Sequence, residues 1–325
     1  MKSFNYIKKY LIRVVCIAAL FSMNIIATAQ TDDSTATEPK EPAASTTVKK
    51  VKPVKNTFES IWLIDNQTVM VPVKKTFEMD ILHRFGTMGN GYDDFYGLFA
   101  SSNIKFGFNY VPIDNLLVGV SLAKSYMTLQ GYAKYALMQQ TKGQYPVSIS
   151  FYTDVAWDSR PGDNYTYPAH EFMFFNQLMI ARKITEKLSV QVSPSVTHIN
   201  YVNGYFEAGK TPSGGDTNVI ANEMKHDHFA IAILGRYKLT PGMSLIVNYD
   251  QPLTKHKTNN PDPNISIGLE VGTGSHSFQF FIGNYSYLVP QRNNYFNQNN
   301  YKDGWPWQAG NKFLIGFNIT RLWNY

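Results

Sequence analysis

A few short stretches of this chain carry residue types able to do chemistry. His226-Asp227-His228 sets two imidazoles two residues apart. On a strand such a pair shares one face and could seat a metal ion if a third ligand came from elsewhere. Spacing places no third ligand, and a polar strand end explains the pair as well. Gly204 to Thr211 (GYFEAGKT) fits the phosphate-loop pattern G-x-x-x-x-G-K-[ST]. That pattern cradles phosphate where it opens a helix. Pro212, Ser213, Gly214 and Gly215 follow here, so no helix is expected to start. His276-Ser277 puts a base beside a nucleophile, but adjacent strand residues face opposite ways. Neither His-x-Ser nor G-x-S-x-G occurs. No catalytic residue, metal ligand or cofactor is assigned, and the chain is not read as an enzyme.

A second group of ionisable residues is spread along the chain. It comprises Glu78, Asp80, Arg84, Lys105, Asp154, Arg236, Asp250 and Glu270, joined by Lys134, Asp158 and Lys238. Both signs are present. They suit either a salt-bridged interior that holds a wall together or a polar path for small solutes.

The elements that carry these residues alternate with period two. Ile104, Phe106, Phe108 and Tyr110 alternate with Asn103, Lys105, Gly107 and Asn109. Phe151, Val155 and Trp157 alternate with Ser150, Asp154 and Asp158. The same pattern recurs from residue 76 to the end, giving about twelve strands near the length a tilted membrane strand needs. In residues 171–184 both faces are apolar and the phase is open. Short connections (112–115, 141–146, 185–187, 240–242, 273–275) alternate with mostly longer ones (86–101, 159–170, 202–227, 251–263, 286–311). Short periplasmic turns and long outer loops produce that rhythm in outer-membrane barrels. The polar face is mostly Gly, Ser, Ala, Asn and Gln, which suits an enclosed interior better than a water-facing surface. The apolar face suits lipid. The expected fold is therefore all-β: a transmembrane antiparallel β-barrel spanning residues 76–325.

Ahead of it the chain changes character. Lys2, Lys8, Lys9 and Arg13 precede an apolar stretch and Ala27-Thr28-Ala29, the layout of a cleaved secretory signal over residues 1–29. Its loss would lower the net charge from +6 to +2. That leaves no basic stripe for nucleic acid. Cys16, the single cysteine, would leave with it. Residues 30–55, rich in Thr, Ala, Pro, Lys and Glu, read as a disordered linker. Residues 56–75 carry Phe58, Ile61, Trp62, Leu63 and Ile64 and must pack somewhere. They are expected at the periplasmic mouth or inside the lumen as a plug.

Five stretches resemble a known family: residues 60–68 (SIWLIDNQT), 83–86 (HRFG), 248–256 (NYDQPLTKH), 289–299 (VPQRNNYFNQN) and 316–323 (GFNITRLW). They resemble the Bacteroidota family called domain of unknown function 5777, over about residues 56–325. The resemblance implies an outer-membrane β-barrel and supplies no catalytic residues. The C-terminal Trp323 and Tyr325 resemble the signal read by the barrel assembly machinery, with Arg321 interrupting the apolar face. Outer-membrane lipid and that machinery are the expected partners. The expected function is passage of small polar solutes. The alternatives are a structural or partner-docking barrel, and an outer-membrane enzyme.

Overall fold

The computed structural model describes residues 52–210, 213–257, 259–300 and 312–324, with backbone alone for 205–210 and 216–223. The expected signal, most of the expected linker and Tyr325 lie outside the described residues.

Two short strands, β1 (Trp62–Leu63) and β2 (Asn66–Gln67), form a small hairpin. The wall follows: β3 (Thr76–Thr87), β4 (Asn103–Ile113), β5 (Leu116–Ala123), β6 (Thr128–Met138), β7 (Ser148–Asp158), β8 (Phe172–Lys183) and β9 (Leu188–Ile199). A second hairpin, β10 (Gly204–Lys210) and β11 (Asp216–Glu223), stands apart from the wall. The wall resumes with β12 (Asp227–Thr240), β13 (Met243–Pro252), β14 (Asn264–Thr273), β15 (His276–Gly283) and β16 (Leu314–Asn324). A single helical turn pair, α1 (Pro290–Phe296), sits between β15 and β16.

The twelve wall strands pair antiparallel with their chain neighbours, and β16 closes on β3. Closure leaves no strand edge. In lipid each unpaired amide would cost several kcal/mol, so an open sheet of this composition could not stand there. Alternation then sorts the side chains. On β7, Ser148, Ser150, Tyr152, Asp154, Ala156 and Asp158 are buried, while Phe151, Val155 and Trp157 are exposed on the outside. Phe106, Val120, Leu129, Ile233, Ile267 and Phe280 continue the outer apolar surface. On β8 the phase is resolved: Met173, Phe175, Gln177, Met179 and Ala181 face inward. Arg321 points outward and lies 4.6 Å over the Trp323 ring.

The connections fall at two ends. Five tight turns share one end with the start of β3 and the finish of β16. The β3–β4, β5–β6, β7–β8, β9–β12, β13–β14 and β15–β16 connections share the other. Residues 202–227, expected as a plain loop, instead carry the β10–β11 hairpin.

Candidate functional site

The interior is filled. Chain leading in from residue 52 touches the tight-turn end, where Val54 N–H donates to the Gln140 carbonyl at 2.7 Å. Phe58, Ile61, Trp62, Leu63, Ile64 and Val69 then lie inside the barrel, each at most 5% exposed. They pack on inward apolar wall residues that alternation alone did not single out, among them Leu82, Leu117, Leu234 and Ile246.

The wall also grips this hairpin by its backbone. Gln279 accepts from Ile64 N–H at 2.9 Å and donates to the Trp62 carbonyl at 2.8 Å. Gln191 does the same for Val69 N–H (2.9 Å) and the Gln67 carbonyl (2.8 Å). Asn318 donates to the Ile64 carbonyl at 2.6 Å, and Ser150 to the Val69 carbonyl at 2.9 Å. Lys134 Nζ reaches Gln67 Oε1 and the Thr68 carbonyl. Ile64 holds φ at +57°. A β-branched residue in that region costs on the order of 1–3 kcal/mol, so the wall bonds must over-determine the turn.

The eight ionisable residues named from the sequence all point inward and are buried. Asp80 accepts from Trp62 Nε1 at 2.9 Å and from Asn109 at 2.7 Å. Glu78 lies one inward position away, with Oε1 unpartnered. Arg84 pairs with Asp65 at 3.6 Å, donates to Asn318 at 3.0 Å and lies 4.5 Å over the Phe281 ring. The space above Gly316 belongs to Phe281 and Arg84, so a side chain there would collide with both. Arg236 joins Glu270 (2.5 Å) to Glu59 (3.0 Å). Asp250 accepts from Asn66 at 2.8 Å and Asn248 at 2.9 Å. Lys105 lies 4.5 Å over the Trp62 ring and donates to Gln130 and the Leu288 carbonyl. Asp154 accepts from Gln130, Tyr152 and Gln291. Of the companion residues, Asp158 and Lys134 are buried too.

The long-loop end is closed by α1, whose residues 290–295 are buried although nearly all are polar. Asn293 donates to Asp65, so the two fillings meet. Arg292 stacks 3.5 Å from the Tyr126 ring centre and reaches Asp158 at 3.3 Å. Asp158 also receives Arg160 and the Tyr165 hydroxyl. Arg292 is thus the latch of α1. Arg292→Lys keeps the charge but loses the planar stack and fork. Loss of about 1–1.5 kcal/mol is expected, speeding hydrogen exchange in residues 290–296 by roughly tenfold while the wall strands stay unchanged.

The paired histidines do not share a site. His226 lies just before β12, exposed, with Nδ1 2.6 Å from the Ile199 carbonyl and its ring beside His198. His228 is buried and bonds His256 Nε2 through Nδ1 at 3.0 Å. Strand alternation begins only after His226, which is why the shared face expected from spacing is absent. Lys225 N–H donates to His256 Nδ1 at 3.1 Å, and Tyr295 of α1 packs on both rings. Among the described residues no three metal-ligating groups converge. Burial, with Lys225 beside it, lowers the His256 pKa below its ordinary 6.5. A base with a lowered folded pKa stabilises the fold above its ordinary value and loses that contribution as pH falls. The β13–β14 loop is therefore expected to loosen below pH 6.5, with His256→Gln weakening the dependence in hydrogen exchange.

The remaining two motifs lie on strands. Gly204–Lys210 is a strand, paired to β11, with no helix after it among the described residues. Ser277 is buried facing inward, and the His276 ring nitrogen lies by Ser275 Oγ at 3.3 Å.

No curated protein matches the chain. Among solved structures, the NanC porin is 8% identical, with 77% of this chain and 99% of that one covered and a TM-score of 0.42. An outer membrane channel of the COG4313 group from Pseudomonas putida F1 gives 12%, 78%, 97% and 0.42. The KdgM porin gives 9%, 76%, 99% and 0.40. Sequence comparison is firmer: residues 58–323 match the family described as Membrane bound beta barrel domain (DUF5777). That span takes in the inner hairpin, every wall strand and α1, and the chain belongs to this family of membrane β-barrels.

Proposed function

We propose that this membrane β-barrel sits in the outer membrane, tight turns inward, and passes small polar solutes only when residues 57–71 leave the lumen. One observation carries the reading: the wall holds the inner hairpin largely through hydrophilic side chains, such as Gln191, Gln279, Asn318, Lys134 and Ser150. Those groups stay on the wall when the hairpin leaves, and water can satisfy them. They would then line a wet path. The basic, apolar and small-residue leader supports export. Outer-membrane lipid would meet the apolar outer surface, and the barrel assembly machinery would read the end of β16.

A second reading has its own support. Phe58, Ile61, Trp62, Leu63 and Ile64 make a dry core with the wall. Burying each is worth roughly 1.5–3 kcal/mol, which favours a permanently filled barrel that serves as an anchor or docking body. Planar-bilayer recording separates the two. The gated conduit requires current from a chain lacking residues 57–71, and silence from both intact and shortened chains leaves the anchor.

A further inference from the structure

We propose that the long-loop face carries a saccharide-binding cleft that prefers an acidic sugar. A cleft of about 540 Å³ opens between the ends of the β3–β4 loop, the β5–β6 connection and the start of the β15–β16 loop. Its size falls within the range of small-molecule sites. The lining is mixed: Thr87, Ser101, Ser102, Ser125 and Ser286 bring hydroxyls among a larger apolar surface, and Asn103 braces the rim by donating to the Ser286 carbonyl at 3.0 Å. Hydroxyls both donate and accept, as a run of sugar hydroxyls demands. Tyr287, half-buried, supplies a ring for the flat face of a pyranose, and Phe85 and Leu314 complete the apolar part of the lining. No carboxylate lines the cleft, and one cation does. Lys124 Nζ donates to the Ser102 carbonyl at 2.8 Å, an acceptor that uses one of its three N–H groups. Among the described residues Lys124 forms no ion pair, so its charge faces the cleft unneutralised.

The loop whose two ends line this cleft carries a second feature. Tyr92 and Phe99 are 79% and 82% exposed, with Phe95 between their rings. Exposure here does not mean slackness. Asp94 accepts from Gly97 N–H at 2.8 Å and from Asn90 at 3.0 Å, and Tyr96 N–H donates to the Gly91 carbonyl at 2.6 Å. Phe95 and Tyr96 are held at φ +53° and +58°. Each such residue costs on the order of 1–3 kcal/mol. A stiff, strained loop that presents aromatic rings to solvent is pre-organised for a ligand. Gly97, at φ +83° and tight against the Gly86 backbone, admits no side chain and so fixes the loop's shape. Rings and hydroxyl-lined cleft together fit a short chain of sugars with a carboxylate at Lys124. This site lies outside the lumen, so it stands or falls independently of conduction.

Calorimetry on the full chain in a detergent without a sugar headgroup tests it, with cellobiouronic acid and neutral cellobiose as a matched pair. The acid should bind about fivefold or more tighter, the scale of one exposed ion pair. Lys124→Gln should erase that preference and leave the neutral sugar unaffected. Tyr92→Ala and Phe99→Ala should weaken both sugars while unheated gel mobility is unchanged. Lipopolysaccharide vesicles that compete with the acid would point to the membrane's own glycolipid as the source, and failure to compete to a free saccharide. Absence of heat with either sugar, or a preference that survives Lys124→Gln, overturns the proposal.

Discussion

Removing residues 57–71 is expected to turn a silent barrel into a conducting one. The intact chain has hydrophobic filling from one end and α1 from the other, joined where Asn293 meets Asp65. With the hairpin gone, the inward Gln, Asn, Ser and Lys side chains face water instead of backbone. The shortened chain loses an internal core, so a second variant guards against failed folding. Ser60 Oγ lies 3.2 Å from Thr320 Oγ1, which places Ser60→Cys and Thr320→Cys within reach of a disulfide between hairpin and β16. Under mild urea that draws the hairpin out, the reduced double variant should conduct and the oxidised one should stay silent until reductant is added. Equal conductance from oxidised and reduced protein would refute a lumen opened by this segment.

Arg84→Ala is expected to be the most damaging single change to the wall. Its guanidinium is buried, and it answers Asp65, Asn318 and the face of Phe281 together. Removing one member of a buried pair strands the other charge and costs about 3–5 kcal/mol. The unfolding midpoint in denaturant should fall accordingly. Asp65→Asn added to Arg84→Met should recover much of the loss, because no lone charge is left buried. A double variant no better than Arg84→Ala would show that the arginine acts through packing alone. Gly316→Ala should act in the same direction by pushing the Phe281 ring from beneath Arg84.

The wall was legible because a membrane barrel writes its two faces in opposite chemistry, one residue at a time. Each of the twelve strands read from alternation has its counterpart in the closed sheet. The strand with an open phase, β8, has a physical excuse: Phe175 and Met179 face inward to meet the hydrophobic filling, so both sides are apolar. Leu234 and Ile246 break the polar inner face of β12 and β13 for the same reason. α1 gave no periodic signal because it is buried in a polar surrounding, where Gln291 and Asn293 are the inside residues. The five stretches that carried the family resemblance turn out to meet one another: Asp65 with Arg84 and Asn293, Asn66 with Asn248, and Ile64 with Asn318. Which charge would answer which was beyond spacing, since those partners are set by the barrel's cross-section rather than by neighbours along a strand.

The seam between β16 and β3 governs the order of manufacture. The first and last spanning segments meet there, so the cylinder cannot be completed until the whole polypeptide has been delivered. The hairpin comes earlier still. Its lumen contacts are complete only once some 250 further residues have formed the wall around it. Closure over so long a sequence separation is intrinsically slow. Misassembly should therefore yield empty or half-wrapped cylinders with Trp62 still open to solvent, and in a variant that keeps Trp62 alone of the five tryptophans the emission colour would report how far the wrapping has gone.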